Sequence, residues 1–296
     1  MNRSLGHPAP WPAPGKLNLF LHVVGRRPDG YHELQTAFQF IDLCDSIRFY
    51  QRPPGVIERV GVLPGVAAKD DLVVRAAHCL AAAAAETGVP FKQGVAIEVD
   101  KQLPMGGGVG GGSSDAATVL VGLNCLWETG FSRERLAELG LSLGADIPVF
   151  VQGHAAWAEG VGERLVPVDF PERVYLLLQP EVAISTAEVF KAPELTRDSP
   201  VITIAGFLQA GGRNDCEPVV RRRYPVVASA LDWLGRHGPA RLTGTGSCVF
   251  APMVDSTHAA AVLADKPPEW RGWVTHGLNQ SPLTARLQFE RQFGPG

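Results

Sequence analysis

Six glycines in seven residues, Gly106-Gly107-Gly108-Val109-Gly110-Gly111-Gly112, run directly into Ser113-Ser114-Asp115 and an apolar stretch. Ordering a segment so poor in β-carbons loses much backbone entropy, so a plain tight turn is a poor explanation for it. Backbone N–H groups in such a loop can converge on an anion. A helix starting just beyond it adds unpaired N–H groups and a positive dipole end. The expected occupant is a polyphosphate, and the expected local order is strand, loop, helix: Gly94 to Asp100 alternates as a strand, and residues 115–128 carry the apolar spacing of a buried helix.

Side-chain requirements separate the phosphate loops that compete for this segment. Gly106, Gly108 and Gly111 satisfy GxGxxG, a weak match by itself. A dinucleotide fold places this unit at the first turn of a parallel sheet, with an acidic residue closing the next strand. Here the loop comes late, and the stretch containing Glu128 and Glu134 reads as helix. A P-loop needs lysine after the last glycine, whereas Gly112 is followed by Ser113. Neither HRD nor DFG of the protein kinases occurs.

The rest of the chain predicts an α+β protein. Residues 17–24 and 36–50 alternate as strands around a Pro28-Asp29-Gly30 turn that puts Tyr31 and His32 just past a reversal. Asp70 and Asp71 offer N-caps to a helix from Leu72 towards Gly88, and a second helix is expected from Ser132 to Leu143. Three short strands follow (HAAWAE, RLVPVDF, RVYLLLQ), then helices near 202–210, 216–236 and 256–265. Strands followed by helices in each half favour α+β over a doubly wound sheet. At about 150 residues per domain the 296-residue chain predicts two, with the boundary near 150–165 and units at 1–158 and 159–296.

Composition removes other classes. With 27 basic and 30 acidic residues the net charge is −3, which argues against a nucleic-acid partner. Cys44, Cys79, Cys125, Cys216 and Cys248 are odd in number and form no CxxC pair, which fits a reducing cytoplasm. No apolar run reaches spanning length, the start has no signal-peptide core, and eight histidines show no HExxH spacing, so neither a membrane partner nor a zinc site is expected. Arg221-Arg222-Arg223 reads as a solvated helix face, and the six tryptophans read as packing.

Leu103 to Ala117, LPMGGGVGGGSSDAA, resembles the phosphate loop of the small-molecule kinase superfamily that includes galactokinase, homoserine kinase and mevalonate kinase. Ala13-Pro14-Gly15-Lys16-Leu17-Asn18 resembles its first motif and Leu242-Thr243-Gly244-Thr245-Gly246-Ser247 its third, in the expected order. The longer segments GKLNLFLHVVGRRPDGYHEL and LGADIPVFVQGHAAWAEGVGE are similar to the branch whose acceptor is 4-diphosphocytidyl-2-C-methyl-D-erythritol, of the non-mevalonate isoprenoid pathway. Gly15, where the branch more usually has Ala, and Asp115, where some members have Asn, depart from the pattern.

The resemblance implies a two-domain kinase fold with its active site in the interdomain cleft, using ATP and magnesium on a small cytidylated polyol, as a monomer or weak homodimer. Pro104, Met105, Gly106, Gly107, Gly108, Val109, Gly110, Gly111, Gly112, Ser113 and Ser114 would hold the nucleotide phosphates. Ser113 and Ser114 fit a helix cap as well as a magnesium contact. Asp146 would be the catalytic base, although the residues alone allow equally an N-cap for a helix starting at Ile147-Pro148. Lys16 would lie opposite it, keeping that carboxylate ionised, and Asn18 would meet the polyol. Tyr31 and Phe190 would sandwich the cytosine, with His32 reading its edge by side chain or backbone. Thr186 would contact substrate nearby, though Ser185 to Glu188 also fits a capping box. The third motif would line the acceptor pocket or serve as a plain strand-to-helix turn.

Overall fold

The computed structural model describes residues 10–63, 66–67, 70–88 and 93–293, so the proline-rich start through Ala9 lies outside the described residues. Strands β1 (Trp11–Arg26) and β2 (His32–Arg52) form a long antiparallel hairpin that reverses at Gly30, where φ is 90°. Both run beyond their expected limits because register shifts after Pro14, Asn18 and Val23 interrupt the alternation by which a strand is read.

Strand β2 is the axis of the sheet. Besides β1 it bonds β4 (Gly94–Asp100), β5 (Ala156–Gly160) and β10 (Arg271–Leu278), all antiparallel. Strand β3 (Ile57–Arg59) runs parallel to β4, and β6 (Arg164–Pro167) extends β5. On the other side β10 bonds β7 (Val174–Gln179), β7 bonds β9 (Val249–Met253), and β8 (Arg241–Leu242) closes the edge. One ten-stranded sheet thus joins both halves. Its single parallel pair among the named strands makes the fold α+β, as the order of elements predicts.

Helices cover the sheet as the caps dictate. Asp71, not Asp70, caps α1 (Leu72–Glu86) by accepting from Val73 N, and Ser132 caps α3 (Arg133–Leu141) by accepting from Arg135 N. Helix α2 starts at Gly111 rather than Asp115 and ends at Leu126. Short α4 (Ile147–Gln152) and α5 (Thr186–Lys191) follow, then α6 (Ile204–Ala210). The helix expected over 216–236 is two, α7 (Glu217–Arg223) and α8 (Pro225–Leu234), because proline drives the preceding Tyr224 to φ −128°, ψ 80°. Helices α9 (Ser256–Ala264) and α10 (Pro282–Phe293) complete the chain.

Trp11, Phe49, Leu80, Leu120 and Phe150 build one core under α1, α2 and α4, and Leu176, Val219, Leu231 and Val249 build a second under α7 and α8. Leu17, Phe20, Ile41, Tyr175 and Phe250 fill the junction between them. Residues 158 and 159, on either side of the expected boundary, both lie in β5, which pairs with β2 and β6. Leu283 and Leu287 of α10 return to the first core. Among the described residues no helix is long and apolar enough to cross a membrane.

Candidate active site

The glycine loop and the first and third motifs meet at one place. Lys16, in β1, donates its backbone N–H to Val109 O at 2.9 Å, which ties the strand to the loop. Its side chain, only 3% exposed, donates to Asn18 Oδ1 at 2.5 Å and to Gly108 O at 3.1 Å. Asp146 Oδ2 lies 3.3 Å from the same ammonium. Asp146 occupies the N-cap position of α4 yet makes no side-chain cap bond, so the two readings of this residue separate: its carboxylate faces Lys16 rather than the helix. It is not buried in its apolar stretch, being 37% exposed, and so stays open to a ligand.

Backbone shape explains the glycines best at two positions. Gly110 is the N-cap of α2 at φ 74°, and a Cβ there would lie 2.8 Å from Phe150 Cζ and 3.2 Å from Lys16 Cε. At Gly108, φ 77°, a Cβ would run into Thr243 O. The loop therefore lies against the third motif: Thr243 Oγ1 donates to Gly108 O at 3.3 Å, and Cys248 N donates to Gly107 O at 3.1 Å. That motif joins strand β8 to strand β9, so the alternative of a strand-to-helix turn is ruled out; the residues after Ser247 are apolar and pair with β7. A cavity of about 380 Å³ lies over the loop, from Pro104 to Ser113, and is walled by Asp71 and Lys101.

The serines differ. Gly110, not either serine, occupies the N-cap position of α2, with no side-chain cap bond, and Ser114 is fully buried with its Oγ unpartnered. Ser113 lines the cavity, its Oγ 3.9 Å from where a Cβ on Gly144 would sit. Asn18, expected at the polyol, has Oδ1 on Lys16 and Nδ2 donating to Thr36 Oγ1 at 3.0 Å, and it is 3% exposed.

A buried charge cluster lies behind the loop, and sequence reasoning missed it. Asp45 Oδ1 accepts from Gln102 N at 2.6 Å and Leu103 N at 2.7 Å, holding the entry to the loop. Lys101 Nζ donates to Asp45 Oδ2 and, at 2.8 Å, to Asp115 Oδ2. Burial pushes the Asp115 pKa up to about 7, with Asp45 adding to the rise and Lys101 opposing it. The one available signal was a lone lysine just before the glycines.

The aromatic residues gather around the start of β2. Tyr31 is 64% exposed, and its N–H donates to Asp29 Oδ1 at 3.0 Å. Phe190 of α5, expected across the base from Tyr31, stacks on His32, centroids 5.2 Å apart at 30°. Ser185 does cap α5, accepting from Glu188 N, while Thr186 Oγ1 meets Thr245 Oγ1 of the third motif at 2.9 Å. Asn214, also missed, holds that motif by donating Nδ2–H to Leu242 O at 2.9 Å and Gly244 O at 2.8 Å.

Sequence comparison separates this loop from other phosphate-binding loops. The profile of the GHMP kinases N terminal domain matches residues 71–154 and that of the GHMP kinases C terminal matches 200–265. The 4-diphosphocytidyl-2-C-methyl-D-erythritol kinase of Nitrosococcus oceani is 58% identical over 94% of this chain and 98% of its own. The chain belongs to the GHMP kinase family. The enzyme of the same name from Halorhodospira halophila is 59% identical over 94% of this chain and 96% of its own. A crystal structure of 4-(cytidine 5'-diphospho)-2C-methyl-D-erythritol kinase superposes with a TM-score of 0.77 at 30% identity, covering 94% of this chain and 100% of that one. A mevalonate kinase structure, 15% identical, covers 90% of this chain and 98% of its own with a TM-score of 0.63, and shares the fold. As a GHMP kinase the protein draws its phosphoryl group from ATP.

Proposed function

We propose that this GHMP kinase transfers the γ-phosphoryl group of ATP to the 2-hydroxyl of 4-diphosphocytidyl-2-C-methyl-D-erythritol, in the non-mevalonate isoprenoid pathway and in the cytoplasm. The observation that carries this reading is the near-full-length likeness to enzymes of that name. The stacked His32–Phe190 pair, with the exposed Tyr31 next to His32 in the chain, supports it, since a smaller alcohol would not need these rings.

Phosphoryl transfer asks a protein mainly for alignment and for stabilisation of charge. The loop from Pro104 to Ser113 supplies N–H groups and the start of α2 to the phosphates. Asp146 accepts the proton of the attacking hydroxyl as the new O–P bond forms and the bond to the β-phosphate oxygen breaks, releasing ADP. Lys16 stabilises charge on the attacking oxygen, and Asn18 acts by holding that ammonium in place. Tyr31 and Phe190 supply flat surfaces for the base, His32 its polar edge, and Thr186 a contact beside the third motif.

Magnesium suits the donor that the loop cavity offers, the hard oxygen of the Ser113 hydroxyl. Among the described residues no group of three His, Cys, Asp or Glu could hold a metal by itself, so phosphate oxygens and water would complete the shell. When bound, the ion offsets phosphate charge. The enzyme works on a small molecule, without a nucleic-acid or membrane partner, as a monomer or weak homodimer. ADP release measured with the cytidylated polyol, mevalonate and homoserine tests the reading; turnover with either of the latter two alone would refute it.

A further inference from the structure

Arg197, in the segment after α5, uses one guanidinium to tie both sides of the aromatic cluster together. Its Nε donates to His32 Nε2 at 3.1 Å, and its Nη2 donates to Phe190 O at 2.9 Å and Ala192 O at 2.7 Å. Nη1 donates to Leu195 O at 3.0 Å, which fixes the segment carrying the arginine.

The first of these bonds has chemical direction. An arginine Nε–H can only donate, so His32 Nε2 must present a lone pair. Burial, followed by the charges of Arg197 and Arg26, holds the His32 pKa below its ordinary value, so the ring is neutral and carries one proton. That proton is on Nδ1, which has no protein partner among the described residues. A free histidine distributes its proton between the two nitrogens; this one is committed.

An Nδ1–H donor directed at N3 distinguishes the pyrimidines. Cytosine presents lone pairs at N3 and O2, whereas uracil presents an N–H at N3 and would oppose donor to donor. We infer that Arg197 is a positioning residue that fixes the tautomer of His32 and so makes the base site select cytosine over uracil. The inference rests on the cytidine reading above. Arg197 touches no substrate in this scheme; it acts through His32 and through the Phe190 backbone.

The test uses the full-length protein and two probes, CDP and UDP. Nitrogen-15 NMR of the wild type should show a protonated Nδ1 and an unprotonated Nε2 at His32, and calorimetry should show CDP preferred over UDP by at least about tenfold. In R197M the Nε2–H tautomer should appear and the preference should fall to within about threefold, with R197K intermediate because an ammonium lacks the fork. A wild-type ring protonated at Nε2, or a preference unchanged in a folded R197M, would overturn the role of Arg197 while leaving the cytidine site standing. Failure of CDP to bind the wild type would instead remove the cytidine reading and this inference with it. Thermal melting of each variant separates these outcomes from unfolding, and the wild-type tautomer tests the inference even if both variants unfold.

Discussion

Asp146→Asn tests the chemistry with least disturbance to the fold. The amide has the size of the carboxylate, and Asp146 caps nothing through its side chain, so α4 keeps its start. What is lost is the 3.3 Å ion pair with Lys16, between one side chain 3% exposed and one 37% exposed. A pair open to water on one side contributes about 1 kcal/mol, a fall of about 2–4 °C in melting temperature. Lys16 keeps its bonds to Asn18 and Gly108, so the ammonium stays in place and the loop keeps its shape. Turnover should fall far more, because an amide cannot take the hydroxyl proton: loss of a positioned base lowers kcat by about 100- to 10,000-fold. That is about 3–5 kcal/mol on the barrier. A coupled assay of ADP release at saturating substrates reads kcat, while ATP titration reads nucleotide affinity, expected within about threefold of wild type. A kcat within about threefold of wild type would refute Asp146 as the base, and a parallel collapse of ATP affinity would show that it serves the loop instead.

Three more outcomes follow from the geometry. Gly110→Ala places a Cβ 2.8 Å from Phe150 at φ 74°, so it should destabilise by at least about 1–2 kcal/mol in a denaturant titration and raise the KM for ATP. Asp115 binds a proton in the folded state that it releases on unfolding between its ordinary 3.8 and about 7, so its contribution to stability falls as pH rises through that window. Asp115→Asn never loses the equivalent hydrogens, and melts from pH 5 to 8 should show it gaining on wild type by up to about 1 kcal/mol per pH unit. Asn214→Ala removes two bonds to the third motif and one from Cys216 N, and should cost about 2–4 kcal/mol by chemical unfolding.

Local signals carried the elements that local chemistry decides. Asp71, Ser132 and Ser185 cap as their spacing indicates, and the alternation of Gly94 to Asp100 is a strand from end to end. Where long-range packing decides, the reading shortened or failed. Helix α2 begins inside the glycines because a left-handed Gly110 starts it, a conformation no propensity announces. Strand β10 went unread because its buried positions are Thr275 and Gly277 rather than large apolar side chains, and α10 because its buried face includes Arg286 and Glu290. At the site, the three motifs were legible one by one. That His32 stacks on Phe190, and that Lys101 is held between Asp45 and Asp115, depend on partners from separate elements; that Asn18 serves Lys16, two residues away, depends on Thr36 and Gly108 fixing the two side chains.

The sheet joins its two halves through a narrow waist, only Gly277 opposite Ile41 and Leu278 opposite Phe40. A second fastening lies at Thr243, whose hydroxyl accepts from Asn18 N and donates to Gly108 O. Strand β1, which carries Asn18, is stitched on further along: Leu21 N donates to Arg213 O, Asp215 N to Leu21 O and Ser199 N to Val23 O. Sliding one half against the other would have to break backbone bonds on β1 itself, so the strand that carries Lys16 acts as a shared spine and the ammonium keeps one place relative to both halves.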